Sequence, residues 1–147
     1  MAVSPIPQGF HTLTPYLVVR DARRLLDFVQ KAFGAEVLDV MPTPDGGVGH
    51  AQVRIGDSML MMGTAHESST LFTTMLYLYV DDCDAWFHRA LAAGAKVVRG
   101  LADQFYGDRH GGVEDEFGNQ WWVATRKEDL SSDEIRRRAA KAHGGDC

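Results

Sequence analysis

The stretch Gln104-Phe105-Tyr106-Gly107-Asp108-Arg109-His110 brings an amide, two aromatic rings, a carboxylate, a guanidinium and an imidazole into one short run. A guanidinium at Arg109 is suited to gripping a carboxylate or phosphate through two parallel hydrogen bonds, with Asp108 placed to orient it or His110. The same residues also read as an Arg–Asp ion pair that pins a loop to a sheet. His50 opens a strand after a Gly-rich turn, where an imidazole acts as base or hydrogen-bond donor, or simply meets water. Met61, Met75 and Trp122, with Met59, Met62, Trp121 and Tyr79, offer deformable and aromatic surface. Only half of any strand's side chains face one side, so part of this set is core. The chain has no P-loop, GxGxxG, HExxH or GxSxG motif, and its two cysteines, Cys83 and Cys147, read as incidental thiols.

These residues need elements to position them. Leu13 to Val19 is β-rich. From Asp21 the apolar spacing turns helical through Leu25, Leu26, Phe28, Val29 and Phe33, with Asp21 as N-cap and Gly34 as the stop. Extended runs follow at Glu36–Met41, His50–Ile55 and Ser58–Met62, the last two flanking a Gly56-Asp57 hairpin turn. The order then recurs: strand Met75–Val80, helix from cap Asp82 through Leu91, stop Gly94, and strands Ala95–Arg99, Arg109–Glu114 and Gln120–Thr125, the last two around Phe117-Gly118-Asn119. Asp21 and Asp82 lie 61 residues apart, Gly34-Ala35 and Gly94-Ala95 60, and Gly56 and Gly118 62. An offset that stays within two residues over cap, stop and turn indicates two copies of a βαβββ unit. The expected layout is one domain over 1–147, with modules at 10–64 and 74–127, a polar linker between them, and a helical tail at 128–147. Ser131 and Glu134 form a capping-box pattern that opens this tail, whose Arg136-Arg137-Arg138 run reads as solvated surface with no chemistry.

The duplicated unit, with Pro15-Tyr16-Leu17-Val18-Val19-Arg20-Asp21, Ala32-Phe33-Gly34-Ala35, Arg54-Ile55-Gly56-Asp57-Ser58 and Asp115-Glu116-Phe117-Gly118-Asn119, resembles the vicinal oxygen chelate superfamily. This is the glyoxalase, bleomycin-resistance and extradiol-dioxygenase group, and the resemblance is to its PhnB-type branch. It implies an α+β fold of two tandem βαβββ modules whose curved mixed sheets form a cleft, completed in a homodimer. It also implies, in members that do chemistry, a divalent metal held by His or Glu on the first and last strand of each module. Carried over one by one, those positions hold Thr14, Met61, Met75 and Trp122, a poor donor set for such a cation. No metal and no other cofactor is therefore expected, unless His11, His50, His110 or Glu114 supplies other ligands.

Composition narrows the partners. Twenty acidic against 15 basic residues give a net charge of -5, the wrong sign for broad attraction to nucleic acid or anionic lipid. No apolar run is long enough to span a bilayer, and residues 1–10 lack a signal-peptide pattern, so a cytoplasmic protein is expected. The leading expectation is a metal-independent homodimer that binds a small, partly apolar molecule, an antibiotic or a metabolite. Gln104, Tyr106, Asp108, Met61, Met75 and Trp122 would line its site, anchored by Arg109 or His50. The alternative is a lyase, isomerase or epimerase that moves a proton next to a carbonyl, with His50 or His110 as base and Arg109 stabilising the oxyanion, with or without a metal.

Overall fold

The computed structural model describes residues 2–144; Cys147 lies outside them. The chain divides into two compact units at Thr74/Met75, each of which repeats the same order of elements. In the first, β1 (Tyr16–Val19) leads into α1 (Ala22–Phe33), followed by β2 (Glu36–Pro42), β3 (Val48–Ile55) and β4 (Ser58–Thr64). In the second, β5 (Met75–Tyr79) leads into α2 (Cys83–Ala92), then β6 (Lys96–Asp103), β7 (Asp108–Glu114) and β8 (Gln120–Arg126); α3 (Ser132–Gly144) follows. Each unit is one mixed four-stranded sheet, ordered β1-β4-β3-β2 and β5-β8-β7-β6. The first strand runs parallel to the last and the other pairings are antiparallel.

The helices start and stop where the sequence places them. The Asp21 carboxylate accepts hydrogen bonds from the Arg23 and Arg24 amides, and Gly34 closes α1 at φ 63°, a left-handed conformation that glycine adopts without strain. Asp82 accepts from the Ala85 amide in α2. A further hydrogen bond at each helix start comes from the far end of the unit. The amide of Ala22 donates to Thr64 Oγ1 at 2.9 Å, and that of Cys83 donates to Thr125 Oγ1 at 2.9 Å. Each hydroxyl in turn donates to a main-chain carbonyl, of Val48 and Val80 respectively. A threonine of the last strand thus locks each helix onto its sheet.

Alternation sorts the apolar residues. Leu17, Val19, Ala51, Val53, Leu60 and Met62 pack under Leu25, Val29 and Phe33 of α1, while Val113, Trp121 and Val123 pack under Cys83, Phe87 and Ala90 of α2. Trp121 is buried in the core and its neighbour Trp122 points to the opposite face, next to Gly112. The other face of each sheet carries no helix of its βαβββ unit, and there lie Tyr16, His50, Gln52 and Met61 in the first unit and Tyr77, Tyr79, Asp108, His110 and Trp122 in the second. β1 begins at Tyr16 and not at Leu13, because Pro15 has no N–H for a ladder and Leu13 is exposed. β4 runs on to Thr64, two residues past the Met62 at which the sequence pattern ends it. Register shifts at Leu38 of β2 and Val98 of β6, again 60 residues apart, bulge both edge strands. Among the described residues no helix is long and apolar enough to cross a membrane.

Candidate functional site

The second sheet positions the richest cluster. Strand β7 alternates Asp108, His110 and Gly112 onto the helix-free face. Across the ladder Gly112 faces Trp122, His110 faces Ala124, and β5 sets Tyr77 beside Trp122 and Tyr79 beside Ala124. A Cβ at position 112 would stand 2.6 Å from the Trp122 ring, so glycine is what lets the indole lie across β7 toward His110. The two rings meet edge to face with centroids 5.1 Å apart, and Trp122 donates its indole N–H to Gln120 Oε1 at 2.9 Å.

Three phenols and a carboxylate surround the imidazole. Tyr77 donates to Asp108 Oδ2 at 3.2 Å and Tyr79 donates to the same oxygen at 2.9 Å. The Tyr77 hydroxyl also lies 2.7 Å from His110 Nδ1, and that of Tyr106 lies 3.1 Å from Nδ1 and 3.4 Å from Nε2. The carboxylate, as the charged acceptor, claims the Tyr77 proton; His110 then donates from Nδ1 to the Tyr77 oxygen and keeps Nε2 unprotonated. Burial, and after it the charge of Arg99, pushes the His110 proton affinity down against the pull of Asp108. Burial and the nearby Tyr106 and Asp108 push the Tyr77 phenol far up, the hydrogen bond to Asp108 leads the rise at Tyr79, and burial leads it at Tyr106. At neutral pH the cluster therefore contains a neutral imidazole and three intact phenol donors. His110 and Asp108 are 5% and 7% exposed, whereas Tyr77 and Tyr79 are 38% and 65% exposed.

The cluster opens into a pocket of about 630 Å³. Tyr79, Tyr106 and Asp108 share its wall with Arg126 and Glu128, and Leu130 and Ile135 supply apolar surface. Ile135 belongs to α3, so the tail that looks inert in sequence forms part of the wall. Ser131 caps this helix through the Glu134 amide, while the Glu134 carboxylate holds Arg137 and Arg138. Arg138 grips Glu128 with two nitrogens at 3.0 and 3.1 Å and donates to the Phe105 carbonyl at 3.3 Å, tying α3 to the loop that carries Tyr106. Of the arginine run, then, Arg136 and Arg137 are surface residues and Arg138 is a fastening.

The sequence candidates separate. Tyr106, Asp108, His110 and Trp122 come together. Arg109 falls on the opposite face of β7, where Nε and Nη2 donate to the two oxygens of Asp84 on α2 at 2.7 and 3.0 Å and Nη1 reaches Asp103 at 3.4 Å. Arg109 and His110 are consecutive in an extended strand and so cannot share a face; the partner of Arg109 is Asp84 and not Asp108. Gln104 turns its amide back onto the Ala102 carbonyl, and Met75 is exposed at the start of β5. Met61 and His50 belong to the first unit, where the Tyr16 hydroxyl lies 3.0 Å from His50 Nδ1 and the rings are 5.6 Å apart. This pair repeats Tyr77 and His110: Tyr16 faces Met61 as Tyr77 faces Trp122, and His50 faces Gly63 as His110 faces Ala124. Tyr77 and Tyr16 were the residues hardest to single out, though the offsets of 61 for the tyrosines and 60 for the histidines carry the signal.

The four positions at which the resemblance implies metal ligands remain Thr14, Met61, Met75 and Trp122. A hydroxyl, two thioethers and an indole do not fit a divalent cation, and among the described residues no three His, Cys, Asp or Glu side chains converge to hold one.

Residues 9–123 match the family model of the Glyoxalase/Bleomycin resistance protein/Dioxygenase superfamily. An uncharacterized protein of Mycobacterium bovis is 41% identical over 145 residues, covering 91% of this chain and 94% of its own. Among solved structures, TioX from Micromonospora sp. ML1 is 26% identical with a TM-score of 0.69, over 79% of this chain and 98% of its own. The PhnB protein of Bacillus cereus shares the fold, with a TM-score of 0.65 at 19% identity over 78% and 99% of the two chains. Matched over most of its length and built from two βαβββ units, the chain belongs to the glyoxalase/bleomycin resistance/dioxygenase superfamily.

Proposed function

We propose that this protein binds a small, partly apolar molecule on the helix-free face of its second unit and does so without a divalent metal. The observation that carries the reading is the pocket beside the Tyr79–Asp108–Tyr77–His110 network, where oriented phenols and a carboxylate sit next to the apolar side chains of Leu130 and Ile135. A few fixed polar groups on an otherwise apolar and aromatic wall orient a ligand while its burial supplies affinity. Sequestration of an antibiotic or a metabolite is the function that follows. The homodimer implied by the family resemblance is part of this proposal, supported by the edge strands β2 and β6, which leave Leu38, Met41, Val97 and Val98 exposed.

The test is a screen of ring-containing small molecules by nuclear magnetic resonance, with the indole N–H signals of Trp121 and Trp122 as reporters. Ligands of the pocket shift Trp122 and leave the core Trp121 in place, and Tyr106→Ala weakens them. Hits that shift only signals of the first unit would overturn the assignment.

A second reading, proton transfer next to a carbonyl, draws on one observation: His110 is held neutral by burial, with its Nδ1 committed to Tyr77 and its Nε2 at 3.4 Å from the Tyr106 hydroxyl, through which a proton could pass. Arg109 has no part in it, because its guanidinium is on the other face of the sheet. On an identified substrate, His110→Gln would abolish turnover while binding persists. Equal loss of both would return His110 to a binding role.

A further inference from the structure

One carboxylate in the pocket wall keeps an oxygen that no hydrogen bond among the described residues uses. Asp108 Oδ2 accepts from Tyr77 and Tyr79, and no described residue donates to Oδ1. Yet among the described residues no side-chain oxygen is both sealed from solvent and without a partner, so Oδ1 is open to the pocket that Asp108 lines. The phenols contribute dipoles but no formal positive charge. The other charged side chains of the wall are already matched, Glu128 by Arg138 and Arg126 by Asp129. A carboxylate more than nine-tenths buried gains most from a donor that is itself cationic. Tyr79 and Tyr106 are on the same wall, and an aromatic π face attracts such a charge.

Building on the proposed binding function, we infer that the ligand carries a protonated amine: its ammonium N–H donates to Asp108 Oδ1, and its apolar body rests against Leu130 and Ile135. Arg126 faces Asp108 directly across the β7–β8 ladder, so it opposes the incoming cation and tempers its affinity.

Three probes with one body test this by isothermal titration at neutral pH and low salt: 1-naphthylmethylamine, 1-naphthylmethanol and 1-naphthoate. The amine binds roughly tenfold or more tighter than the alcohol, the gain of a charge-assisted hydrogen bond in a partly buried site, and the naphthoate binds weakest. Added salt weakens the amine and spares the alcohol. Asp108→Asn brings the amine down to the alcohol's affinity, and Arg126→Gln strengthens it. Should Asp108→Asn fail to fold, the amine-to-alcohol ratio and its salt dependence in the wild-type protein decide alone. Equal affinities for amine and alcohol, or amine binding untouched in Asp108→Asn, overturn the ammonium assignment and leave the pocket standing. No binding of any probe, with Trp122 unshifted, overturns the pocket and the inference together.

Discussion

His110 holds its proton less tightly in the folded chain than in the unfolded one, chiefly because burial penalises the imidazolium. Above the ordinary histidine value of 6.5 both states are neutral and the residue costs nothing. As the pH falls through that value the unfolded chain takes up a proton that the folded site refuses, so stability drops until the site itself is protonated. Chemical denaturation at stepped pH should therefore show the wild type losing stability below about pH 6.5 relative to His110→Gln; parallel curves would mean that the imidazole meets water. Arg109 makes the complementary case. Its guanidinium is occupied by Asp84 and faces α2, so Arg109→Ala should lower the melting temperature while ligand affinity stays within twofold, read by thermal melting and titration on the same sample. That the Gln104–His110 run concentrates polar and aromatic groups was legible from residue types alone. Which side each residue serves was not, because a one-residue step in a strand reverses the face and the start of β7 at Asp108 fixes the phase.

At the scale of elements, the threonine locks and the glycine under Trp122 are the features to test. Thr64→Val and Thr125→Val keep the shape but leave a helix amide and a main-chain carbonyl without their partner. Each should cost about 1–3 kcal/mol in urea denaturation; the amide bond lost is the same in both units, whereas the carbonyl left behind is that of Val48 in one and Val80 in the other. Gly112→Ala sets a Cβ against ring atoms of Trp122, whereas Gly63→Ala meets chiefly the far end of the exposed Tyr16 side chain. The former should be the more damaging, by about 1–3 kcal/mol of overpacking strain, and should also move the Trp122 indole resonance; equal effects would refute the contact. The caps Asp21 and Asp82 could be read from sequence because a capping carboxylate and its helix are adjacent in the chain. The threonines could not, since each bonds an amide 42 residues away.

For the whole molecule, the repeat was the most legible property, because caps, stops and turns are local signals whose offset survives divergence of the side chains between them. The same offset carries the Tyr16–His50 and Tyr77–His110 pairs, yet only the second unit surrounds its pair with Tyr79, Tyr106 and Asp108. Val18 stands where the second unit has Tyr79, which leaves the first pair without a second phenol on its first strand. The proposed homodimer belongs to this scale as well: if it forms, sedimentation equilibrium should return twice the chain mass, and Val97→Asp on the exposed edge strand should shift it toward one. The threonine locks also constrain how the chain comes to order. In each unit β1 or β5 has no ladder partner until the last strand arrives, and the helix start waits for a hydroxyl on that same strand. The antiparallel strands of each unit can pair locally, but its first strand and its helix start are fixed only once the last strand is in place. Docking the first strand then closes nearly the entire βαβββ loop, at a closure entropy that grows only slowly with length. Every partner that the first unit needs is thus present once Thr64 has been made, so this unit can close before β5 exists.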